Sequence, residues 1–141
     1  MILRPFSISD KDALIKAKDC GFSDGWNADM IDSAIKSGNF YGIVADDGVI
    51  KGFITYTLTV DFAEVADLFV FPEYRGTGIG EKLLSELIVS VKSSGRQKVF
   101  LEVRKGNFPA KTLYEKLGFK TLYERKKYYG DEDATVMVKE L

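Results

Sequence analysis

The stretch that most constrains the fold runs from Val65 to Glu81, with the sequence VADLFVFPEYRGTGIGE. Residues 65–71 are apolar apart from Asp67, which predicts a central strand covered on both faces. Pro72 cannot donate to a sheet ladder, so the strand should end there. A glycine-rich loop follows, and apolar residues then recur at helical spacing from Lys82 to Val91. The stretch therefore predicts a strand, a glycine loop and a helix in succession.

The glycine loop has the features of an anion-binding site. Glycines at 76, 78 and 80 let the backbone approach a ligand closely, with successive N–H groups pointing outward. The positive end of the helix dipole adds to this field, and Arg75 places a charge at the edge of the loop. A P-loop would need Lys and Ser or Thr where this chain has Glu81 and Lys82, and a dinucleotide-binding loop would space its glycines as G-x-G-x-x-G. The structural alternative is a tight turn that only requires glycine.

The rest of the chain predicts a mixed α/β fold. Ser9, Asn27 and Asn107 are candidate N-caps of three further helices. A single domain with a mixed, mostly antiparallel central sheet and helices on both faces accommodates this order of elements. The predicted helices span 10–20, 28–37, 82–91 and 108–117, and the strands span 2–6, 40–45, 49–60, 65–71, 97–104, 119–129 and 134–141.

The composition excludes several classes of function. A chain of 141 residues fits one domain, 1–141, and a net charge of −1 gives no electrostatic case for binding nucleic acid or an anionic membrane. No apolar run has the length of a membrane span, and the residues from Met1 to Arg4 do not start a signal peptide. A single cysteine, Cys20, fits a reducing cytoplasm. The absence of histidine excludes a His-based triad, and we expect no metal site.

Glu102 is the most distinctive candidate for catalysis. It is a carboxylate in the middle of a predicted strand, next to Phe100 and Leu101, where an acidic group is costly unless it has a partner or a chemical role. Apolar surroundings suit a carboxylate that acts as a general base. The structural alternative is an ion pair with Arg104, which lies on the same face of the strand.

Six short motifs occur together in the order that one enzyme family shows. They resemble those of the GCN5-related N-acetyltransferases, and in particular the N-terminal protein acetyltransferases of the ribosomal-protein-alanine type. The resemblance is dense from residue 64 to 138 and thin before residue 40. The motifs are RGTGIG at 75–80, LEVR at 101–104, NFPA at 107–110, LYEKLGF at 113–119, RKKYY at 125–129 and EDATVM at 132–137.

The resemblance implies that acetyl-CoA is the co-substrate, with one set of residues for each part of that molecule. The loop would bind the pyrophosphate, the splayed end of the central strand would bind the pantetheine arm and the thioester oxygen through its backbone, and the helix cap Asn107 would also touch the cofactor. The implied cofactor-binding residues are Leu68, Phe69, Val70, Arg75, Gly76, Thr77, Gly78, Ile79, Gly80, Glu81 and Asn107.

The resemblance also assigns the proton transfers. Glu102 would act as the general base, and Tyr114 would protonate the leaving thiolate, because a phenol and a thiolate have roughly similar basicity. The structural alternative for Tyr114 is packing on a helix face. Trp26, Tyr128 and Tyr129 would hold the acceptor, although Trp26 could equally be a hydrophobic staple of the second helix, and the two tyrosines could pack at a sheet edge.

The implied acceptor is the N-terminal α-amine of a protein or peptide, with a ribosomal protein among the candidates. An α-amine with a pKa of about 8 is roughly 10% neutral at pH 7, whereas a lysine with a pKa of about 10.4 is nearer 0.04%. Two alternatives stay open: an acetyltransferase for small-molecule amines such as polyamines, and a module that binds CoA without turnover. Nothing in the sequence predicts an oligomeric state.

Overall fold

The computed structural model describes residues 1–22, 25–126, 130 and 132–141. The described residues confirm the predicted order of elements and the mixed, mostly antiparallel sheet, whose strands follow the order β1-β2-β3-β4-β5-β7-β6. The α-helices are α1 (Lys11–Asp19), α2 (Ala28–Ser37), α3 (Ile79–Ser93) and α4 (Phe108–Lys116). The strands are β1 (Ile2–Pro5), β2 (Tyr41–Asp46), β3 (Ile50–Leu58), β4 (Phe62–Val70), β5 (Lys98–Arg104), β6 (Lys120–Arg125) and β7 (Ala134–Glu140).

The chain divides into two compact units. The first unit contains Met1–Thr57 and Asp67–Leu87, and the second contains Leu58–Ala66 and Ile88–Leu141. No helix among the described residues is both long enough and apolar enough to cross a membrane.

The core of the first unit is rich in aromatic side chains. Phe53 of β3 and Phe69 of β4 have ring centroids 5.7 Å apart, and Phe69 meets Phe71 edge-on at 5.2 Å and stacks on Phe22 at 5.0 Å. Aliphatic side chains from the two helices and β2 complete this cluster, so the first unit has a core of its own. They are Leu14, Ala17, Ile31 and Val44.

The helix caps of the first unit are partly as predicted. Asn27 accepts a hydrogen bond from the Met30 N–H at 2.9 Å, and Gly38 ends α2 in the left-handed conformation with φ of 74°. The prediction that Ser9 caps a helix from residue 10 is wrong. A 3₁₀ turn from Ile8 to Asp10 comes first, with Ser7 at its N-cap, and α1 begins at Lys11.

The reason for this difference is the buried carboxylate of Asp10. It accepts hydrogen bonds from the Ser7 N–H at 2.9 Å and from both terminal nitrogens of Arg4 at 2.8 Å each, while Arg4 Nε donates to Asp46 at 2.9 Å. Only 5% of Asp10 is exposed. The Arg4 guanidinium lowers the pKa of Asp10 below its ordinary value of 3.8, although burial acts in the opposite direction.

This ion pair predicts a pH-dependent contribution to stability. Because the pKa of Asp10 is lower in the folded state, the stabilisation is present above about pH 4 and is lost as pH falls through the folded value. Asp10→Asn should lower the free energy of unfolding by about 2 kcal/mol at pH 7 and by less at pH 3. Urea unfolding at both pH values measures this difference. The exposed Asp19→Asn is the control, with a change within about 0.5 kcal/mol; an equal loss from Asp10→Asn at both pH values would contradict the assignment.

The second unit is built on β5. Its side chains alternate as predicted: Val99, Leu101 and Val103 are buried, whereas Phe100 and Glu102 face the other way and are half-buried. β5 pairs antiparallel with β7 over seven register positions, from Lys98 with Glu140 to Arg104 with Ala134, and β7 pairs antiparallel with β6. The first five residues of β7 are also buried, so β5 and β7 form the core of this unit.

The prediction that the central strand is covered on both faces is wrong. β4 begins earlier than expected, at Phe62, and Glu64 and Ala66 on it are exposed, while Ala63 and Phe69 are buried. The apolar composition suggested a fully buried strand, but alternation along the first half of β4 leaves one face open. β4 pairs parallel with β5 at Phe62, Ala63 and Glu64, and the register ends where Glu64 meets Phe100.

Candidate active site

The glycine loop of the first unit is shorter than predicted, because Ile79 and Gly80 already lie in the first turn of α3. Gly76 and Gly78 have φ of 79° and 85°, values that residues other than glycine rarely adopt. A Cβ added at either position would have no atom within 4 Å. α3 starts at Ile79, and the Lys82 N–H donates to the Gly78 carbonyl at 3.1 Å. The first N–H groups of α3 therefore point out of the helix beside two open glycines, which fits a bound phosphate.

Arg75 ties the loop to the end of β4. Its Nε donates to the Val70 carbonyl at 2.8 Å, and its guanidinium carbon lies 5.3 Å from the centre of the Phe69 ring. Thr77 adds a bond from its hydroxyl to the Tyr74 carbonyl at 2.7 Å. The structure therefore places Phe69, Val70 and Arg75 in one contact group within the first unit, and the Val70 carbonyl is paired there.

Gly52 of β3 supports the same end of β4, and the sequence analysis did not identify it. A Cβ at Gly52 would lie 2.7 Å from the Phe69 carbonyl oxygen and 3.2 Å from Val70 Cα. Only glycine permits this approach of the two strands. An isolated glycine inside a strand pattern is the signal that could have indicated it.

Trp26 is anchored to β4 as well. Its indole N–H donates to the Asp67 carboxylate at 2.5 Å, and the same oxygen accepts the Thr55 hydroxyl at 3.0 Å. Thr55 is 1% exposed, so Asp67 has a buried support. The Trp26 ring meets Phe40 edge-on at 5.3 Å and packs against the core cluster. Trp26 therefore does more than staple a helix, because it fixes the segment before α2 next to β4.

Glu102 in the second unit is held by an arginine that the sequence analysis did not pair with it. Arg125 on β6 forms an ion pair with Glu102, whose side chain is 19% exposed against 44% for Arg125. The structural alternative, an ion-paired strand glutamate, is therefore observed, but the predicted partner is wrong: Arg104 lies 3.7 Å from Glu132 instead. Arg125 therefore holds the Glu102 carboxylate in place.

Glu102 lies at an open cleft on the face of β5. The cleft has a volume of about 510 Å³ and lies entirely within the second unit. Phe62 and Phe100, whose rings meet edge-on at 5.1 Å, form part of its wall. Its lining consists of Asp61, Phe62, Glu64, Gln97, Lys98, Phe100, Leu101, Glu102, Tyr123 and Val136.

Tyr114 lies on a different element of the same unit. It is on α4, half-buried, with its ring 6.1 Å from that of Phe119, and it is not part of the cleft lining. Asn107 caps α4 as predicted, accepting from the Ala110 N–H at 3.3 Å. Tyr128 and Tyr129 fall outside the residues that the structure describes, so their predicted contact with the acceptor stays a prediction.

The described part of the chain contains no cluster of three or more acidic, cysteine or histidine side chains suited to a metal ion. The chemistry that these residues offer is therefore that of the glycine loop, the backbone of β4, and the side chains of Glu102 and Tyr114.

Comparison with known proteins gives concordant results. The family model of the acetyltransferase (GNAT) family matches residues 11–119. A Bacillus subtilis protein that is provisionally named a [ribosomal protein bS18]-alanine N-acetyltransferase is 30% identical over 96% of this chain and 92% of its own length. A Haemophilus influenzae protein named [ribosomal protein bS18]-alanine N-acetyltransferase is 39% identical over 65% of this chain and 66% of its own.

Solved structures agree with the sequence matches. The crystal structure of the ribosomal-protein-S18-alanine N-acetyltransferase from Escherichia coli superposes with a TM-score of 0.86 and 25% identity, covering 99% of this chain and 92% of that one. Because the family model spans most of the chain and a relative is similar along nearly its whole length, this chain belongs to the GNAT family and is an N-acetyltransferase.

Proposed function

We propose that this chain, acting as one N-acetyltransferase domain over residues 1–141, transfers the acetyl group of acetyl-CoA to the N-terminal α-amine of a protein. The observation that carries the proposal is Glu102 in the lining of an open cleft, where it forms an ion pair with Arg125. The relatives whose names specify ribosomal protein bS18-alanine N-acetylation support this acceptor class and make a ribosomal protein a candidate acceptor in the cytoplasm.

The cofactor would lie on the first unit's glycine loop. The open space beside Gly76 and Gly78 and the N–H groups at the start of α3 suit the pyrophosphate. The backbone of Leu68 to Val70 would take the pantetheine arm and the thioester oxygen. One preorganised N–H at a developing oxyanion contributes about 10²–10³ to the rate. Ile79, Gly80, Glu81 and Asn107 would complete the binding set.

The reaction we propose is direct attack in a ternary complex. The amine nitrogen attacks the thioester carbonyl, a C–N bond forms and the C–S bond breaks. The Glu102 carboxylate takes the proton that leaves the nitrogen, and the Tyr114 hydroxyl gives its proton to the departing thiolate. Trp26, Tyr128 and Tyr129 would position the acceptor. The sole cysteine, Cys20, is the C-cap residue of α1 and packs against the core cluster of the first unit, where a cysteine is ordinarily structural, which argues against an acetyl-enzyme intermediate.

The glycine loop gives a testable prediction for cofactor affinity. Gly78→Ala should weaken CoA binding about tenfold, because an alanine with φ of 85° is strained by about 1–2 kcal/mol and the loop must change shape to relieve it. Isothermal titration with CoA measures this change. Gly95→Ala is the control, since Gly95 has a similar φ of 84°, no atom lies within 4 Å of its added Cβ, and it is not part of the loop; its CoA affinity should be that of the wild type. If Gly78→Ala bound CoA as tightly as the wild type while its free energy of unfolding fell, the loop would not be part of the cofactor site.

The acceptor class is tested with a panel of amines. The protein is incubated with acetyl-CoA and peptides that start with Ala, Ser, Met or Glu, with the same peptides blocked at the N-terminus but carrying an internal lysine, and with polyamines. We expect CoA release only with free N-termini. Turnover of polyamines alone would establish the small-molecule alternative, and CoA binding without turnover would establish the non-catalytic one.

A further inference from the structure

The cleft beside Glu102 contains a second carboxylate that the reaction does not use. Glu64 lines the cleft, is exposed, and makes no ion pair with any residue in the described ranges 1–22, 25–126, 130 and 132–141. Glu102, in contrast, is ion-paired with Arg125. The acidic charge available to a ligand in this cleft is therefore that of Glu64 together with Asp61.

The sheet register places Glu64 at a defined distance from Glu102. Glu64 on β4 is opposite Phe100 on the parallel strand β5, and Glu102 is two residues further along the same face. Strands lie about 4.8 Å apart and two residues rise about 6.6 Å, so the Cα atoms of Glu64 and Glu102 are separated by roughly 8 Å. Phe100, which is opposite Glu64 and two residues from Glu102, also lines the cleft.

This separation matches a dipeptide. When an α-amine is at Glu102, the Cα of the second residue lies about 3.8 Å beyond the Cα of the first, and a lysine or arginine side chain extends about another 6 Å. Its charge can therefore reach Glu64 while its methylene groups lie on the aromatic wall that Phe62 and Phe100 form.

Among the described residues that line the cleft, the one cation is Lys98, which faces the same side of β5 as Phe100 and is also exposed. Lys98 and Glu64 form no ion pair, so Glu64 keeps its charge for a ligand. A neighbouring lysine would, however, repel a basic side chain and reduce the preference that Glu64 creates.

We propose that Glu64 determines acceptor specificity, by binding a lysine or arginine side chain at the second residue of the acceptor N-terminus. This inference rests on the proposed function, because it requires the α-amine at Glu102. The expected occupant of the cleft is therefore a peptide N-terminus with a basic second residue, and not a free polyamine.

The experiment compares three peptides that differ only at residue two, starting Ala-Lys, Ala-Gln and Ala-Glu. With the wild-type protein, we expect kcat/KM to fall in that order. Glu64→Gln should raise KM for the Ala-Lys peptide about fivefold, the size of a partly exposed charge pair, and Glu64→Lys should reverse the order of the Ala-Lys and Ala-Glu peptides. Lys98→Gln should increase the preference for Ala-Lys.

The exposed Glu86→Gln on α3 is the matched control and should leave the ratio of the three peptides unchanged. Equal kcat/KM for all three peptides in wild-type and Glu64→Gln protein would overturn the inference while the proposed function stands. An effect of Glu64→Gln on polyamines but not on peptides would also overturn it. No turnover of any free N-terminus would instead be a failure of the proposed function.

Discussion

Glu102→Gln is expected to lower kcat/KM for a free-amine peptide by about 10²–10³-fold. Glutamine keeps the shape of the side chain and can still accept a hydrogen bond from Arg125, but it cannot take a proton from the attacking amine. About 10% of an α-amine is neutral at pH 7, so part of the reaction continues without a base. This remaining reaction is the reason that the loss can be at the smaller end of the expected range. Steady-state kinetics against pH measures the loss.

Tyr114→Phe tests the proposed acid independently of the proposed base. It keeps the ring that packs near Phe119 and removes the hydroxyl, so we expect kcat/KM to fall about 10²-fold with the pH dependence of the base retained.

Because the Arg125 side chain is 44% exposed, Glu102→Gln should change the free energy of unfolding by less than about 1 kcal/mol. Wild-type turnover in the double variant would show that neither residue transfers a proton.

Gly52→Ala is expected to have the largest effect on stability. Its Cβ would lie 2.7 Å from the Phe69 carbonyl oxygen and 3.2 Å from Val70 Cα, and both are backbone atoms that no side-chain rotation can move aside. Overpacking of this kind lowers the free energy of unfolding by about 2–3 kcal/mol, or roughly 10 °C in Tm. Thermal and urea unfolding measure this loss.

The same variant should also disturb the end of β4. Relief of the clash moves the backbone at Phe69 and Val70, which hold Arg75 of the loop, so CoA affinity should fall together with stability. Gly80→Ala, with its nearest atom at 3.8 Å, should leave the free energy of unfolding within about 0.5 kcal/mol. A Gly52→Ala protein as stable as the wild type would contradict the close approach of β3 and β4 at this position.

The parts of the fold that depend on local sequence could be predicted. Asn27 and Asn107 cap their helices with their own side chains, Gly38 supplies the left-handed end of α2, and the alternation of β5 is visible in its residues. Ser9 was wrongly predicted as a cap because the start of α1 is decided by Arg4, which binds Asp10 from a strand. The charge pattern alone did not indicate which acidic residue Arg4 would bind.

The same difference between local and long-range features applies to the candidate site. The glycine loop is a continuous motif, so its conformation followed from its spacing. Glu102 was identified because a carboxylate is unusual in that strand, but its partner Arg125 is 23 residues away and has a local competitor in Arg104. Trp26 and Asp67 are 41 residues apart, and nothing in either neighbourhood predicts the bond between them. Side-chain pairs that depend on strand order were beyond the reach of sequence patterns.

The most direct test of the proposed function uses one peptide that carries both a free N-terminus and an internal lysine. It is incubated with the protein and acetyl-CoA until one equivalent of CoA is released, and tandem mass spectrometry then locates the acetyl group. The account predicts that the acetyl group lies on the α-amine and that the lysine is unmodified. Acetylation of the lysine with a free α-amine would contradict it.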